Sequence, residues 1–238
     1  MGIIVFALCI VTVFLLLEMY KAYKRVQEIK ETPTTDIRYL ETGRFEIKAE
    51  ISSESENIQS PLSQSECVWF CLIIKEHVKR GKSSSWVIRV NEKRFKKCIV
   101  DDGSGKCEVE LSHVDFDLGP EYKGKSGTLD NPTDEERNAL QSLGLESTSL
   151  FGFNRTFKYE EYILQKEDNL YILGNCESQK NSDFDSEILL RGSSDEPLFL
   201  SDKSEADLIS KYDGKVLKFG ISSFLLISAS VYILLFHL

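Results

Sequence analysis

The sequence predicts a mainly β fold with a few helices, in which one small β-barrel domain is set between two transmembrane α-helices. Three observations predict it. Both ends of the 238-residue chain are long, uncharged, apolar runs. Between them lie short segments in which apolar and polar residues alternate, the pattern of half-buried strands. One helical pattern interrupts these segments late, and no internal repeat or low-complexity tract is visible.

The last twenty residues, FGISSFLLISASVYILLFHL (219–238), carry no charged side chain. At about 1.5 Å per residue such a helix spans roughly 30 Å, the thickness of a bilayer's hydrocarbon core. A long core helix of a soluble protein would show a polar stripe. Here the polar side chains are serines, a tyrosine and His237, and a serine hydroxyl can return to a carbonyl one turn back. The run at the other end, GIIVFALCIVTVFLLL (2–17), reaches residue 20 if Glu18 and Tyr20 sit at the headgroups. No Lys or Arg precedes it and no small-residue cleavage pattern follows, so an uncleaved anchor is expected rather than a signal peptide. The expected organisation is a first span over 2–20, a juxtamembrane helix over 21–32, a β-domain over 33–215 and a second span over 218–238.

Composition narrows the function classes. The segment between the spans, about 180 residues, is long enough for one domain with its own core. A net charge of −9 argues against a general nucleic-acid binder, which needs clustered Lys and Arg. Lys21, Lys24, Arg25 and Lys30 follow the first span, and Lys211, Lys215 and Lys218 precede the second. The positive-inside rule therefore places the domain in the cytoplasm, an argument that weakens in an organellar outer membrane. Cys9 lies in the first span, which leaves Cys67, Cys71, Cys98, Cys107 and Cys176. That odd number fits a reducing compartment better than a disulfide framework. The one glycosylation sequon, Asn154-Arg155-Thr156, matters only in a secretory lumen.

Taken in order, Tyr20, Tyr23, Val26 and Ile29 recur at helical spacing until Thr32-Pro33, where the residue before proline is pushed out of the α region. Phe45, Ile47, Ala49 and Ile51 alternate with Glu46, Lys48 and Glu50 as a strand, followed by a polar loop over 52–57. The run CVWFCLIIKEHV (67–78) is too apolar for an edge and reads as a central strand. Further strands are expected over 86–90 and 95–100, the second turning through Asp101-Asp102-Gly103-Ser104-Gly105 into 106–111. Residues 112–130 read as irregular. A short helix follows, with Pro132 near its start, Asp134, Glu135 and Glu136 in its first turn, and Gly144 at its end. A β-hairpin is expected from 159–165 and 170–176 around the turn Lys166-Glu167-Asp168-Asn169. Short strands over 187–190 and 198–200 precede a helix over 202–212, capped by Ser201 and ended by Asp213-Gly214. Short strands with one helix inserted late suggest an OB-like β-barrel.

Catalytic and cofactor motifs are weak. Gly103-Ser104-Gly105-Lys106 lacks the first Gly and the Ser or Thr of a phosphate-binding loop, and it joins two strands, so a hairpin turn explains it better. Cys67 and Cys71 would share a strand face, but His77, His113 and His237 are scattered, and buried cysteines are expected rather than a metal site. No G-x-S-x-G or H-E-x-x-H occurs. No catalytic residue, metal or cofactor is expected. One charge feature stands against the acidic background: residues 75–97 hold nine cations against Glu76 and Glu92. Lys79, Arg80, Lys82, Arg89, Lys93, Arg94, Lys96 and Lys97 are candidate contacts for anionic lipid or a partner, with Trp69 and Trp86 beside them. A solvated hairpin edge is the other reading of the cations, and core packing that of the tryptophans. The expected partners are membrane lipids and an unidentified protein, and no nucleic acid.

Three groups of residues together resemble a known family. Ser60-Pro61-Leu62-Ser63 precedes Cys67-Val68-Trp69-Phe70; Val100-Asp101-Asp102-Gly103-Ser104-Gly105 leads to Val109; and Glu161-Tyr162-Ile163-Leu164 precedes Asp168-Asn169-Leu170-Tyr171-Ile172-Leu173-Gly174. In order and spacing they resemble the GIDE family, the "beside a membrane" (BAM) domain held between two transmembrane helices in mitochondrial and chloroplast outer-membrane ubiquitin ligases. The resemblance implies a domain for substrate or partner recognition. In the ligases a zinc-binding RING finger follows the second span. Here no cysteine lies beyond Cys176, so no RING and no ubiquitin transfer by the chain alone are expected. A ligase-related protein that works with a separate RING partner is the alternative. In the mitochondrial relatives the domain faces the intermembrane space, opposite to the charge argument.

Overall fold

The structure, a computed structural model, describes residues 2–127, 130–146, 155–176 and 189–237. Helix α1 (Gly2–Glu31) opens the chain, and a 3₁₀ turn (Ile37–Tyr39) leads into strand β1 (Gly43–Ile51). The small β2 (Ile58–Gln59) and β3 (Glu66–Cys67) precede two long strands, β4 (Trp69–Arg80) and β5 (Ser83–Phe95). Then come β6 (Cys98–Asp101), β7 (Lys106–Val109), β8 (Val114–Asp117) and β9 (Tyr122–Ser126). Helix α2 (Asp134–Ser142) separates these from β10 (Phe157–Leu164) and β11 (Asn169–Cys176). β12 (Leu189–Leu190), β13 (Leu198–Ser201) and helix α3 (Glu205–His237) complete the chain. The molecule divides into two units, residues 1–34 with 203–238, and residues 35–202.

The first unit is the helix pair. α1 and α3 pack on one another, and Lys30 Nζ lies 3.5 Å from Asp213 Oδ2. Thr12, Ser228 and Ser230 donate their hydroxyls to the carbonyls of Leu8, Phe224 and Leu226, four residues back, at 2.8–2.9 Å. Phe6, Phe14, Phe224 and Leu235 stay exposed, whereas Val26, Ile29 and Leu208 are buried. Both helices are long and apolar enough to cross a membrane. Two expectations are corrected here. Ser201 ends β13 and donates its hydroxyl to the Asp117 carbonyl, while Ser204 accepts from the Asp207 amide and caps α3. Asp213-Gly214 does not end a helix: α3 runs through it, because a helical glycine costs only about 1 kcal/mol against a long packed helix.

The second unit is built on a closed ring of five strands. β1 pairs antiparallel with β11 from Gly43 opposite Cys176 to Glu50 opposite Asn169, and its last residues also pair with β6. β6 forms a hairpin with β7, β7 lies parallel to β12, and β12 returns to β11 at Cys176 opposite Leu190. β13 extends β11, and β8 lies parallel to β13. Ile47, Ile51, Val100, Cys107, Ile172 and Leu190 fill the barrel. Glu46 breaks the alternation expected of β1. It is buried, accepts the Tyr171 hydroxyl at 2.5 Å, and has Lys48 Nζ at 3.5 Å.

A four-stranded sheet, ordered β5-β4-β10-β9, lies alongside. β4 is shared between two cores, which explains its apolar run. Trp69 and Cys71 point into the barrel core, while Phe70, Leu72 and Ile74 join a second core with Phe157, Tyr159 and Leu140 of α2. α2 is pinned at its start. Thr133 and Glu136 form a reciprocal capping box, and the other oxygen of Glu136 accepts the Tyr122 hydroxyl of β9 at 3.0 Å. Gly124 permits this contact, since a Cβ there would lie 2.1 Å from Glu136 Oε1.

The expected hairpin of residues 159–176 does not form. β10 pairs with β4 and β9, and β11 pairs with β1, β12 and β13, so the two strands lie in different sheets. The connecting turn bonds instead to the end of β1: the Glu167 amide donates to the Ile51 carbonyl and the Ile51 amide to the Asp168 carbonyl, both at 2.9 Å. Both strands are buried enough to need partners on each side, and strand period says nothing about which partner is taken. The irregular stretch expected over 112–130 contains β8 and β9, whose half-polar sequences VDFD and YKGKS carry little strand signal. The strands expected over 86–90 and 95–100 become one long β5 and a separate β6, because the charged residues between them stay in register with β4. Residues 187–188 and Asn154 of the sequon lie outside the described residues.

Two predictions follow from these cores. Buried Glu161 accepts from the amides of Leu62 and Ser63 at 2.8 Å and from the Ser63 hydroxyl at 2.7 Å, fastening the 60–65 turn to β10. Glu161→Ala strands these donors and is expected to cost about 3 kcal/mol, read as a lower chemical-denaturation midpoint of the detergent-solubilised chain. Burial pushes the Cys67 thiol up to about 11 and the Cys98 thiol up to about 12, helped by the carboxylates of Glu161 and Glu108 respectively. A thiol raised only in the folded state stabilises it below the unfolded value and loses that contribution as pH rises toward the folded one. Stability is therefore expected to fall from about pH 9 upward, and maleimide at pH 8 to label the domain thiols only after denaturation.

Candidate interaction surface

The eight cations singled out in the sequence do not form one patch. Along the β4–β5 hairpin, side chains alternate between the face under α2 and the opposite, open face. A bulge intervenes: Ile74 is opposite Val90 but Lys75 is opposite Ile88, so Arg89 is the extra residue. In a regular strand Trp86, Ile88 and Val90 would share a face. The bulge leaves Val90 in the core beside Ile74 and turns Ile88 and Trp86 to the open side, 56% and 37% exposed.

Four of the cations are neutralised. Arg89 Nε lies 2.6 Å from Glu76 Oε2, and Arg155 takes the other oxygen of Glu76 at 2.7 Å. Arg94 pairs with Glu92 at 2.5 Å, Lys96 with Glu56 at 3.8 Å and Lys97 with Glu108 at 3.6 Å. Lys79, Arg80, Lys82 and Lys93 have no acidic partner within 4.0 Å among the described residues. Lys79 and Lys93 share the open face, whereas Arg80 and Lys82 lie at the hairpin tip.

The two tryptophans separate cleanly. Trp69 is core: 2% exposed and stacked on Phe116 with ring centroids 4.1 Å apart. Trp86 is surface. His77 lies across from it with ring centroids 5.0 Å apart, and Lys158 Nζ of β10 stands 4.3 Å from its ring centroid. Register places Lys75 opposite Lys158, and Lys158 opposite Lys125 of β9. Sequence reasoning counted Lys75 in the charge run but missed Lys123, Lys125 and Lys158 as part of the same sheet face. Their alternation within each strand was visible, but only the cross-strand pairing brings them together.

Among the described residues no metal or nucleotide centre emerges. Cys67 and Cys71 do not share a face: the chain breaks between β3 and β4 at Val68, and the two thiols enter different cores. Among the described residues no group of three or more His, Cys, Asp or Glu side chains could hold a metal ion. The 101–105 turn is a structural clamp. Asp102 Oδ2 accepts the Ile37 amide at 2.7 Å, and Oδ1 accepts the Ser104 amide and hydroxyl and the Gly105 amide at 2.7–3.1 Å. These bonds outweigh the effect of burial and hold the Asp102 carboxyl below the usual range. A cleft of about 580 Å³ beside this turn is lined by Lys48, Glu50, Asp101 and Lys106. There Lys106 is already engaged by Glu54 at 2.6 Å, and no nucleophile–base pair converges.

The residues that carried the family resemblance thus act as fasteners. Ser63 and Glu161 tie two of the motif segments together, and Asp102 ties the third to Ile37. Comparison with known families agrees: the family model GIDE, described as E3 Ubiquitin ligase, matches residues 74–235. No curated protein and no solved structure matches the chain. The family match runs from within β4 through most of α3, over more than half of the sequence, and the chain belongs to the GIDE family.

Proposed function

We propose that this chain is a two-pass membrane protein that presents its GIDE domain as a recognition module for a protein or lipid partner, without ubiquitin-transfer chemistry of its own. The observation that carries this reading is the family match over a β-domain that is followed and preceded by long apolar helices, most of whose membrane-length apolar stretch is exposed. The ring order β1-β6-β7-β12-β11, with α2 inserted ahead of β11, supports an OB-type barrel, a fold used mostly for binding. The description of the family as an E3 ubiquitin ligase favours a second reading, in which the domain serves a separate RING protein.

Ubiquitination with purified full chain, activating enzyme and conjugating enzyme separates these readings. The recognition reading expects no conjugates, and conjugates formed by the chain alone would overturn it. Conjugates formed only after a RING protein is added would establish the second reading. The chain is also expected to stay in the membrane pellet through carbonate extraction; release into the supernatant would refute the two-pass arrangement.

The lysines and Arg25 beside both helices support a cytoplasmic domain. Ser83→Cys, at the exposed start of β5, tests this in intact cells, because the native domain cysteines are buried. Labelling by an impermeant maleimide is expected only after permeabilisation, and labelling of untreated cells would reverse the orientation.

A further inference from the structure

We infer that the open face of the β5-β4-β10-β9 sheet docks on an anionic lipid surface. This inference rests on the membrane reading above and names what the module meets there. Register gathers the face from four strands that the sequence keeps far apart. Lys79 and Lys75 come from β4, Trp86 and Ile88 from β5, Lys158 from β10, and Lys123 and Lys125 from β9. The opposite face of the same sheet is occupied by α2 and the second core, so this is the side left to a partner.

Three properties of the face fit an anionic bilayer. The first is charge: in these rows the five lysines meet one acid, Glu160, which Lys75 already holds at 2.8 Å. The chain as a whole has a net charge of −9, so the sign is local to this face. The second is the apolar content. Trp86 and Ile88 stand among the lysines, and Phe95 lies further along the same side of β5, 44% exposed. Tryptophan, with an apolar body and a polar edge, favours the headgroup level of a bilayer. The third is the kind of cation. Arg89 and Arg155 are both spent on Glu76, Arg94 pairs with Glu92 and Arg80 lies at the hairpin tip, leaving lysines on the open face. Lysine is a mobile point charge suited to a fluid array of phosphates, whereas fixed bidentate recognition of a nucleic acid or a carboxylate calls for arginine.

The Arg89 bulge makes the surface possible. It sends one arginine to Glu76 and, in the same step, changes the facing of every residue before it in β5, so that Trp86 and Ile88 look outward while Val90 stays in the core. The domain continues into an apolar helix at each end, so on the membrane reading it is tethered twice.

The test uses the full chain reconstituted in vesicles of phosphatidylcholine alone, or of phosphatidylcholine mixed with phosphatidylserine. Trp86 fluorescence is read against Trp86→Phe, and buried Trp69 serves as an internal reference for folding. In the anionic vesicles Trp86 is expected to be quenched by doxyl-labelled lipid and shielded from acrylamide, both reversed by high salt. The variant carrying K79Q, K123Q, K125Q and K158Q is expected to weaken the doxyl quenching by about threefold or more, with Trp69 emission unchanged. Equal acrylamide access to Trp86 in both kinds of vesicle overturns the inference, as does shielding that appears only when an oligonucleotide or an acidic polypeptide is added. Protein that leaves the vesicles on carbonate washing refutes the membrane reading itself. Protein that stays but keeps Trp86 open to acrylamide refutes this inference alone.

Discussion

The pairing of β1 with β11 is the constraint on which the domain depends. Eight residues of β1 lie in register with eight of β11, and only this pairing turns the sheet β1-β6-β7-β12-β11 into a ring. Without it, β1 and β11 would each present an unpaired edge and the barrel core would open to water. Tyr171 and Glu46 mark the same junction from the side, a buried carboxylate held by a phenol across the two strands. The turn after β10 also serves it, since Glu167 and Asp168 exchange backbone bonds with Ile51.

The second sheet inherits its position from the first. β4 begins with Trp69 in the barrel core and continues as the middle of the four-stranded sheet, so one strand belongs to both cores. The far part of that sheet has α2 on one side only. Its other side carries the lysines and Trp86, where the layers stop. The turns at 60–63 and 101–105, by contrast, hold backbone.

What could be read from the sequence was local. The apolar ends, the 98–109 hairpin around its Asp-Gly turn, and α2 with its early acids and closing Gly144 are features whose causes lie within a few residues. The T-x-x-E spacing of Thr133 and Glu136 was equally legible, and the structure shows it as the capping box. What could not be read was partner choice. β10 and β11 looked like a hairpin because a turn-rich tetrapeptide joins them, yet each is drawn to a different sheet by strands far away in the chain. The cations over 75–97 looked like one patch because they are adjacent in sequence. A single bulged residue and strict alternation divide them between two faces, and Lys158 and Lys125 enter the surface from strands where no charge run drew notice.

The span between Glu46 and Tyr171 is 125 residues, and this has a bearing on how the molecule is made. At a synthesis rate of about 5–20 residues per second, β1 waits roughly 6–25 s on the ribosome for the strand that completes it. Such distant contacts repay their loop-closure entropy late, which slows folding. During that interval the apolar side of β1 has no permanent cover, and a chaperone able to shield one short strand would serve this protein better than one that assists the finished barrel.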